Sequence, residues 1–450
     1  MSGILGNFKG TPWPYQKEDG NLLIRRGSLI LGHKTGLGKT FISLYGASAF
    51  GGERIFITGT KSSLATWLTE VPRWTDGTPM YLGVKTKDLK GEWAKMLMKG
   101  QPGIWLMTHS MFQLYMAKHL GKKPWFNTLI EDECHKSKNK NTLLFKALKG
   151  VEADHRILAS ATPTSRGAQD IWAHLNQIDP KNFTSYWRFV NEYCFVDKGA
   201  YGTEVEGTRN KEQLRELLKK YYATRRYQDV KAQMPPLRRQ VVELEMEPEQ
   251  VKLYNEMQKT MMLVGEESLV LASGALARDT RLRQIALCPH SLSSDYPVGA
   301  GVEYLMEEIP AEDQHTVIFS VYKQVLYSTR KALESQGVKC FMLQGGMEPN
   351  EIVEEVRRFK ESGGTMLCTI AFAQSFALDT VARAYVLGLD PDPINNIQAE
   401  GRLRRGDSNL GPEGVLVRYI IIKGTREEDF KEIVNTKLSN IEKFMPNYSG

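Results

Sequence analysis

The 450-residue chain is about three times the length of an ordinary domain, which predicts two or three domains. With 41% hydrophobic and 25% charged residues it has the composition of a globular protein, which excludes collagen, a coiled coil and long disorder. It contains no run of about 18 uncharged apolar residues, so we expect no membrane span. The start, Met1–Lys9, lacks the apolar core of a signal peptide.

The five cysteines lie far apart and form no C-x-x-C pair. This spacing argues against a disulfide framework and against a zinc ribbon. It favours a reducing compartment, so we expect a cytoplasmic protein.

The positive charge is concentrated in one segment. The formal net charge is +7, and the stretch from Glu206 to Arg239 contains ten basic and only four acidic residues. Such a segment fits binding to nucleic-acid phosphates, but a solvated helix face explains it equally well.

Two series of short apolar runs, each alternating with helical patterns, predict two α/β regions. The predicted strands are Ser28–Leu31, Arg54–Thr58, Ile104–Thr108, Thr128–Glu131 and Arg156–Ser160 in the first series, and Thr316–Ser320, Lys339–Leu343, Thr365–Ile370, Ala384–Gly388 and Val415–Ile422 in the second. Helical patterns include Tyr322–Ser335 and Glu351–Lys360. The alternation predicts two parallel sheets covered on both faces, with ligands at the carboxyl ends of the strands. The middle stretch, Phe183–Ser294, is expected to be mostly helix and loop.

The first strand runs into a glycine-rich turn that is followed by a helical pattern. The turn, Gly32-His-Lys-Thr-Gly-Leu-Gly-Lys-Thr40, has the strand–turn–helix context of a phosphate loop. Gly36 and Gly38 let backbone N–H groups approach phosphates, while Lys39 suits the β/γ-phosphates and Thr40 suits Mg²⁺. His33 departs from the strict Walker pattern. A G-x-G turn without any ligand is the alternative, and the attached Lys-Thr argues against it.

Paired acids follow the fourth predicted strand. Asp132 and Glu133 come directly after Thr128–Glu131, which places them at the ligand edge of the sheet. Asp132 is predicted to hold Mg²⁺ and Glu133 to orient or deprotonate the attacking water. An exposed acidic turn is the alternative interpretation.

Three elements, Leu31–Thr40, Asp132–His135 and Ser160–Pro163, resemble motifs I, II and III of superfamily two helicases and translocases. Two details are similar to the Swi/Snf-like branch. The details are G-L-G-K-T at Gly36–Thr40 and the Lys138-Asn139 that follows D-E-C-H. Further elements resemble the family in order: Pro14-Tyr15-Gln16, Ser63–Trp74 with Glu70, Arg225–Pro236, Arg281–Pro289, Val317–Ser320 and Gln398–Arg405. The resemblance covers about Pro14 to Lys423.

The resemblance implies two RecA-like parallel-sheet lobes with ATP in the cleft between them and a mostly helical connecting region. We predict lobe 1 at residues 1–205, the basic connecting region at 206–300 and lobe 2 at 301–450. By analogy with the family, Gln16 reads adenine, Gln398 belongs to the ATP site, and Arg402 and Arg405 act as arginine fingers. For these two arginines a solvated basic helix face is the alternative.

The family also implies DNA contacts in the basic middle region, and we assign them to Arg225 and Arg226. Contacts to phosphates alone would give binding without sequence preference. Trp67, Trp74 and Trp105 could stack on bases, but their apolar flanks favour core packing. The element at Thr369–Leu378 departs from the family's motif V, because it lacks the usual double glycine and asparagine.

The sequence thus predicts an ATP- and Mg²⁺-dependent translocase on duplex DNA. A strand-separating helicase of the same superfamily is one alternative, and a nucleic-acid-binding module with a vestigial ATPase is another. No recognisable targeting domain accompanies the motor motifs. We therefore expect a minimal motor of bacterial or phage origin, associated with the nucleoid or, if phage-encoded, with the host cytoplasm.

Overall fold

A computed structural model describes most of the chain, which divides into two compact units. The described residues are 3–89, 91–119, 124–164, 167–199, 202–227, 229–230, 235–264, 268–310, 315–373, 376, 378–403, 410 and 413–432. Unit 1 is Met1–Asp229 and unit 2 is Val230–Gly450. Among the described helices, none is both long and apolar enough to cross a membrane.

Unit 1 is built on a seven-stranded sheet. Its strands are β1 (Leu29–Leu31), β2 (Arg54–Gly59), β3 (Met80–Gly83), β4 (Gly103–Thr108), β5 (Trp125–Asp132), β6 (Glu152–Ala159) and β9 (Tyr222–Ala223), and β7 (Phe195–Gly199) and β8 (Gly202–Glu206) form a separate antiparallel hairpin. The order across the sheet is β3-β4-β2-β5-β6-β1-β9, with every pair parallel. The central strands β1, β2 and β4 are buried along their whole length, which explains their continuous apolar runs.

Nine described helices belong to unit 1. They are α1 (Pro14–Arg26), α2 (Lys39–Phe50), α3 (Lys61–Trp74), α4 (Glu92–Met98), α5 (His109–Lys118), α6 (Leu143–Lys149), α7 (Ala168–Ile178), α8 (Tyr186–Tyr193) and α9 (Lys211–Leu218). Several start at a hydroxyl cap that follows a strand: the Thr60 side chain caps α3 after β2, and the Thr108 side chain caps α5 after β4. This arrangement puts helix N-termini at the carboxyl edge of the sheet.

Unit 2 repeats the design with a six-stranded parallel sheet. The strands are β10 (Leu237–Leu244), β13 (Thr316–Ser320), β14 (Cys340–Leu343), β15 (Thr365–Thr369), β16 (Arg383–Leu387) and β17 (Val415–Ile422), in the order β10-β17-β16-β13-β15-β14. An antiparallel hairpin is formed by β11 (Met262–Val264) and β12 (Leu269–Leu271). The helices are α10 (Pro248–Thr260), α11 (Ala275–Leu287), α12 (Ala300–Glu308), α13 (Lys323–Ser335), α14 (Pro349–Ser362) and α15 (Pro393–Glu400), and residues 426–432 are also helical.

The predicted fold class, two parallel-sheet α/β lobes, is confirmed. All ten predicted strands are present, with ends that differ from the predicted ones by a few residues, and α13 and α14 occupy the predicted helical stretches. The middle stretch, residues 183–294, is mostly helix and loop as expected, but it also holds six strands that were not predicted, β7 to β12. The two that join the main sheets were missed for physical reasons: β9 has two residues, and β10 is a half-exposed edge strand rich in charged residues.

The predicted connecting region 206–300 is divided between the two units. Its first part supplies α9 and β9 to unit 1, and the part after Asp229 supplies β10 and the helices α10 and α11 to unit 2. Each sheet thereby gains an edge strand from this region.

Candidate nucleotide-binding site

The predicted phosphate loop joins β1 to α2 at the carboxyl edge of the unit 1 sheet. Gly36 and Gly38 have left-handed backbone angles, with φ of 78° and 74°. A Cβ atom at Gly38 would lie 2.4 Å from Nε2 of Gln16. The backbone angle favours glycine at position 38, and a side chain there would displace the Gln16 amide.

Lys39 and Thr40 open helix α2, where the helix dipole is positive. The Lys39 ammonium donates hydrogen bonds to the carbonyl oxygens of His33, at 2.9 Å, and Lys34, at 3.4 Å. The loop therefore curves around this ammonium group, as a cradle for phosphate oxygens requires.

Gln16 is fixed against the phosphate loop by the first turn of α1. Its side-chain oxygen accepts a hydrogen bond from the backbone N–H of Trp13, at 3.0 Å, and its Nε2 lies 3.4 Å from the Tyr15 hydroxyl. The Tyr15 hydroxyl in turn donates to the carbonyl of Leu37 in the loop. The structure therefore brings the predicted adenine-reading residue next to the predicted phosphate-binding residues.

The segment after α9 borders the phosphate loop from the other side. Backbone hydrogen bonds join Gly32 N–H to the Ala223 carbonyl and Lys34 N–H to the Arg225 carbonyl. The Tyr227 hydroxyl donates to the carbonyl of Thr35 at 2.7 Å. The conformation of the loop thus depends on residues almost two hundred positions later in the chain.

The paired acids lie at the end of β5, as predicted. One carboxylate oxygen of Asp132 accepts the backbone N–H of Glu133 at 3.0 Å, and the other accepts the indole N–H of Trp67 at 2.9 Å. Glu133 is 6% exposed and has a left-handed backbone with φ of 56°. The Cβ that Gly59 lacks would lie 3.5 Å from the Asp132 Cβ, so the end of β2 also borders this site.

Glu133 is linked to the third motif through a histidine. Nδ1 of His135 lies 3.2 Å from a carboxylate oxygen of Glu133 and 3.0 Å from the hydroxyl of Ser160. The Ser160 oxygen also accepts the backbone N–H of Thr162 at 3.1 Å. A hydrogen bond between His135 and Ser160 therefore connects the motifs after β5 and β6, and the His135 ring also lies beside the Glu133 carboxylate.

A charged cluster beneath the loop was missed by sequence reasoning. The buried His33 ring lies 2.9 Å from a carboxylate oxygen of Asp19, and the Arg225 guanidinium donates to both oxygens of Asp19 at 2.7 Å and to Glu18 at 2.7 Å. Burial lowers the pKa of His33. Although burial opposes it, the hydrogen bonds from His33 and Arg225 hold the pKa of Asp19 below its usual range. The departure of His33 from the Walker pattern was the available signal.

Arg225 and Arg226, the predicted DNA contacts, both form ion pairs within unit 1. Arg225 belongs to the cluster with Asp19, and Arg226 pairs with Asp229 at 3.0 Å. Other basic residues of the middle segment are paired too, for example Arg239 with Glu400 in unit 2. The local charge surplus is therefore partly neutralised by acids from elsewhere in the chain, and the DNA-binding role of the two arginines stays a prediction.

In unit 2, helix α15 and the turn after it carry the last predicted motif. Gln398 is buried, and the Arg402 carbonyl accepts the backbone N–H of Leu378 at 3.0 Å. Arg239 from β10 donates two hydrogen bonds of 2.8 Å to Glu400 and fixes the end of α15. Arg405 lies outside the described residues.

The predicted metal ligands, Thr40 and Asp132, fit Mg²⁺ bound together with a nucleotide. They are too few to hold a metal ion by themselves. The described residues contain no group of three or more His, Cys, Asp or Glu that could hold a metal ion. One carboxylate and one hydroxyl, from Asp132 and Thr40, are typical of Mg²⁺, which keeps waters and phosphate oxygens as its other ligands.

Comparison with known proteins identifies the family. The SNF2-related domain matches residues 10–291, and the helicase conserved C-terminal domain matches residues 300–407. The chain belongs to the SNF2-related family. The predicted Swi/Snf-like resemblance is thereby confirmed.

Individual relatives are distant. The chain is 21% identical over 439 residues to the SWI/SNF-related matrix-associated actin-dependent regulator of chromatin subfamily A-like protein 1 of Xenopus tropicalis, covering 94% of this chain and 44% of that protein. It is 22% identical to the DNA annealing helicase and endonuclease ZRANB3 of Mus musculus, covering 94% of this chain and 40% of that protein. The chain thus spans less than half the length of these two relatives.

Among solved structures, the chain is similar to the SWI2/SNF2 ATPase core of Sulfolobus solfataricus in complex with dsDNA. The identity is 19%, the TM-score is 0.44, and the match covers 98% of this chain and 94% of that one. The same core domain without DNA matches at 18% identity with the same TM-score.

Proposed function

We propose that this protein is a DNA-dependent ATPase that uses ATP and Mg²⁺ to move along duplex DNA. One observation carries the proposal: in a chain of the SNF2-related family, the glycine-dependent phosphate loop and the Asp132–Glu133 pair lie at the same edge of the same parallel sheet. Ligands of open parallel sheets bind at this edge.

Different residues of unit 1 would bind the different parts of ATP. Gln16 would read the adenine, the N–H groups around Gly36 and Gly38 would bind the phosphates, and Lys39 would turn from the loop carbonyls to the β/γ-phosphates. Mg²⁺, when bound, would neutralise phosphate charge, with Thr40 and Asp132 as the residues that hold it.

Hydrolysis needs one group that handles a proton and others that stabilise charge. Glu133 would take the proton of the attacking water, and His135 with Ser160 would orient its carboxylate. Arg402 and Arg405 of unit 2 would stabilise the charge on the γ-phosphate. Lys39, Asp132, Glu133 and Arg405 are all present in the sequence, which argues against a vestigial ATPase.

Two observations support DNA as the nucleic acid on which the chain acts. They are its family and its excess of basic residues. The mouse relative is named a DNA annealing helicase, and the net charge of +7 favours a polyanion. A cytoplasmic location with access to DNA belongs to the same proposal. Strand separation remains the rival activity, since a helicase of the superfamily would share every ATPase residue.

The test starts with the ATPase rate of the purified chain without nucleic acid and with single-stranded DNA, duplex DNA and RNA. We expect the strongest stimulation by duplex DNA. A rate that no nucleic acid changes would contradict the DNA-dependent ATPase.

Two further substrates separate movement from unwinding. One is a duplex with a third strand bound in its groove, which a duplex translocase displaces when ATP is present. The other is a forked duplex, which only a helicase opens. Triplex displacement without fork opening supports the proposal, and fork opening would favour the helicase.

A further inference from the structure

Helix α3 contacts both elements that carry the predicted Mg²⁺ ligands. Its Trp67 is completely buried, and the indole N–H donates to Oδ2 of Asp132 at 2.9 Å. Seven residues, or about two turns, further along, Trp74 packs edge-on against Phe41 at 5.0 Å between ring centroids. Phe41 directly follows Thr40 in α2.

The sheet order explains why α3 reaches Asp132. Strand β2 lies beside β5, and α3 starts immediately after β2, with the Thr60 hydroxyl accepting the Ser63 N–H at 3.1 Å. This cap fixes the start of α3 above the end of β5. The far end is also secured, because the Trp74 indole donates to the buried carboxylate of Glu70.

The hydrogen bond from Trp67 holds one oxygen of the Asp132 carboxylate. An indole N–H donates and does not accept, so Oδ2 of Asp132 is the acceptor. Each carboxylate oxygen of Asp132 then accepts one N–H, from Trp67 or from Glu133, which fixes the orientation of the group.

We propose that Trp67 is a positioning residue for the Mg²⁺ site, acting through Asp132. The inference rests on the proposed function, because it assigns a role within the same nucleotide site. Residues that orient a metal ligand without touching the metal typically change metal affinity roughly tenfold to a hundredfold when they are replaced. A tryptophan that only filled the core would instead affect folding, and nucleotide binding with and without metal equally.

The test measures the affinity of the full chain for fluorescently labelled ADP, once with Mg²⁺ and once with EDTA. In Trp67→Phe we expect unchanged affinity in EDTA and a roughly tenfold smaller gain from Mg²⁺. Trp105→Phe is the matched control, because Trp105 is equally buried in unit 1 and donates to the carbonyl of Gln101 at 3.2 Å, away from the acids. The gain from Mg²⁺ should be normal in this control.

The Asp132→Asn background shows whether the effect passes through Asp132. There, Trp67→Phe should cause no further loss of the Mg²⁺ gain, and equal losses in both backgrounds would overturn the proposal. If phenylalanine destabilises unit 1, 3-benzothienylalanine at position 67 keeps the ring shape and removes only the N–H. A normal Mg²⁺ gain with this isostere would overturn the proposal as well.

The proposal and the proposed function fail in different ways. If the unmodified chain binds no labelled ADP, the nucleotide site itself is wrong. If it binds ADP with a Mg²⁺ gain that Trp67→Phe leaves unchanged, only the role of Trp67 is wrong.

Discussion

Glu133 combines a strained backbone with the carboxylate that we propose takes the proton of the attacking water. Among the described residues only three other than glycine have positive φ, and Glu133 is one of them. The left-handed region costs a residue with a side chain about 1 kcal/mol or more, so the strain must be offset by the contacts around it. His135 provides one such contact. Strain of this kind is common where a side chain has to be aimed at a reacting group.

Replacing Glu133 by glutamine should separate binding from turnover. The amide keeps the shape but cannot take up the proton, so we expect ATP affinity to stay within a few-fold while turnover falls roughly 10²- to 10⁴-fold. Nucleotide titration and steady-state ATPase assays measure the two quantities. Glu92→Gln, at an exposed carboxylate on α4, is the control and should change neither. Normal turnover in Glu133→Gln would defeat the assignment.

At the scale of elements, the cluster of His33, Asp19 and Arg225 joins three parts of unit 1. It connects α1, the phosphate loop and the segment that follows β9. The same segment also donates to the loop backbone through Tyr227. We therefore expect Arg225 mainly to stabilise unit 1 by joining these three parts. Any contact with DNA would be a second role.

Charge reversal at Arg225 should destabilise unit 1. Arg225→Glu would leave Asp19, which is almost completely buried, facing another carboxylate, and we expect a loss of about 3 kcal/mol in unfolding free energy. Urea unfolding followed by tryptophan fluorescence measures this, because all eight tryptophans precede residue 230 and report on unit 1. Arg215→Glu on the exposed face of α9 is the control, with a change within about 0.5 kcal/mol. Equal stability of the two variants would rule out a stabilising role of Arg225 in unit 1.

The helix after the third motif holds a histidine that should make unit 1 sensitive to acid. His174 in α7 is completely buried, and its Nε2 donates to the carbonyl of Pro163 at 3.0 Å. Burial lowers the pKa of His174 to about 4. Its Nδ1 is buried without a hydrogen-bond partner, so the proton gained in acid would have no acceptor.

The sign of the pH dependence follows from this shift. The unfolded chain binds the proton of His174 below a pKa of about 6.5, whereas the folded chain resists it down to about 4, so stability is lost as the pH falls through this window. Relative to His174→Gln, the wild type should lose about 2 kcal/mol of unfolding free energy between about pH 7 and about pH 5. Tryptophan fluorescence again reports the transition. A difference that does not change with pH would show that His174 is not held neutral.

At the scale of the whole molecule, the exposed basic residues matter more for DNA than the paired ones. Lys211 and Arg215 lie exposed on α9, one turn apart, whereas Arg225 and Arg226 are held by carboxylates. A cation already paired with a protein carboxylate must break that pair before it can bind a phosphate. The DNA contacts of this region are therefore expected to involve α9.

Charge reversal on α9 should weaken DNA binding without sequence preference. In Lys211→Glu/Arg215→Glu we expect lower duplex affinity at every sequence tested and a logarithmic salt slope that is smaller by about 2, since each lost phosphate contact removes about one unit. Fluorescence anisotropy at several salt concentrations measures this. Lys95→Glu, an exposed residue of α4, is the control and should leave the slope unchanged. An unchanged slope in the double variant would place the DNA path elsewhere.

The sequence alone determined the fold class, ten of the thirteen strands in the two main sheets and the motifs of the candidate nucleotide site. These features are local: buried strands are continuous apolar runs, and a phosphate loop is a short glycine pattern between a strand and a helix. The spacing of the motifs therefore predicted that Lys39 follows the turn after β1, at the start of α2, and that Asp132 and Glu133 lie at the end of β5.

Only the tertiary structure decided which distant residues complete the site. The partners of Asp132 and Asp19 lie 65 and 206 positions away, at Trp67 and Arg225. Neither contact can be read from a pattern in the sequence. Both depend on the order of the strands in the sheet and on which helix end lies above which strand. The sequence shows Trp67 as an apolar-flanked core residue and Arg225 as part of a basic run. The fold gives the first a carboxylate to orient and the second a carboxylate to neutralise.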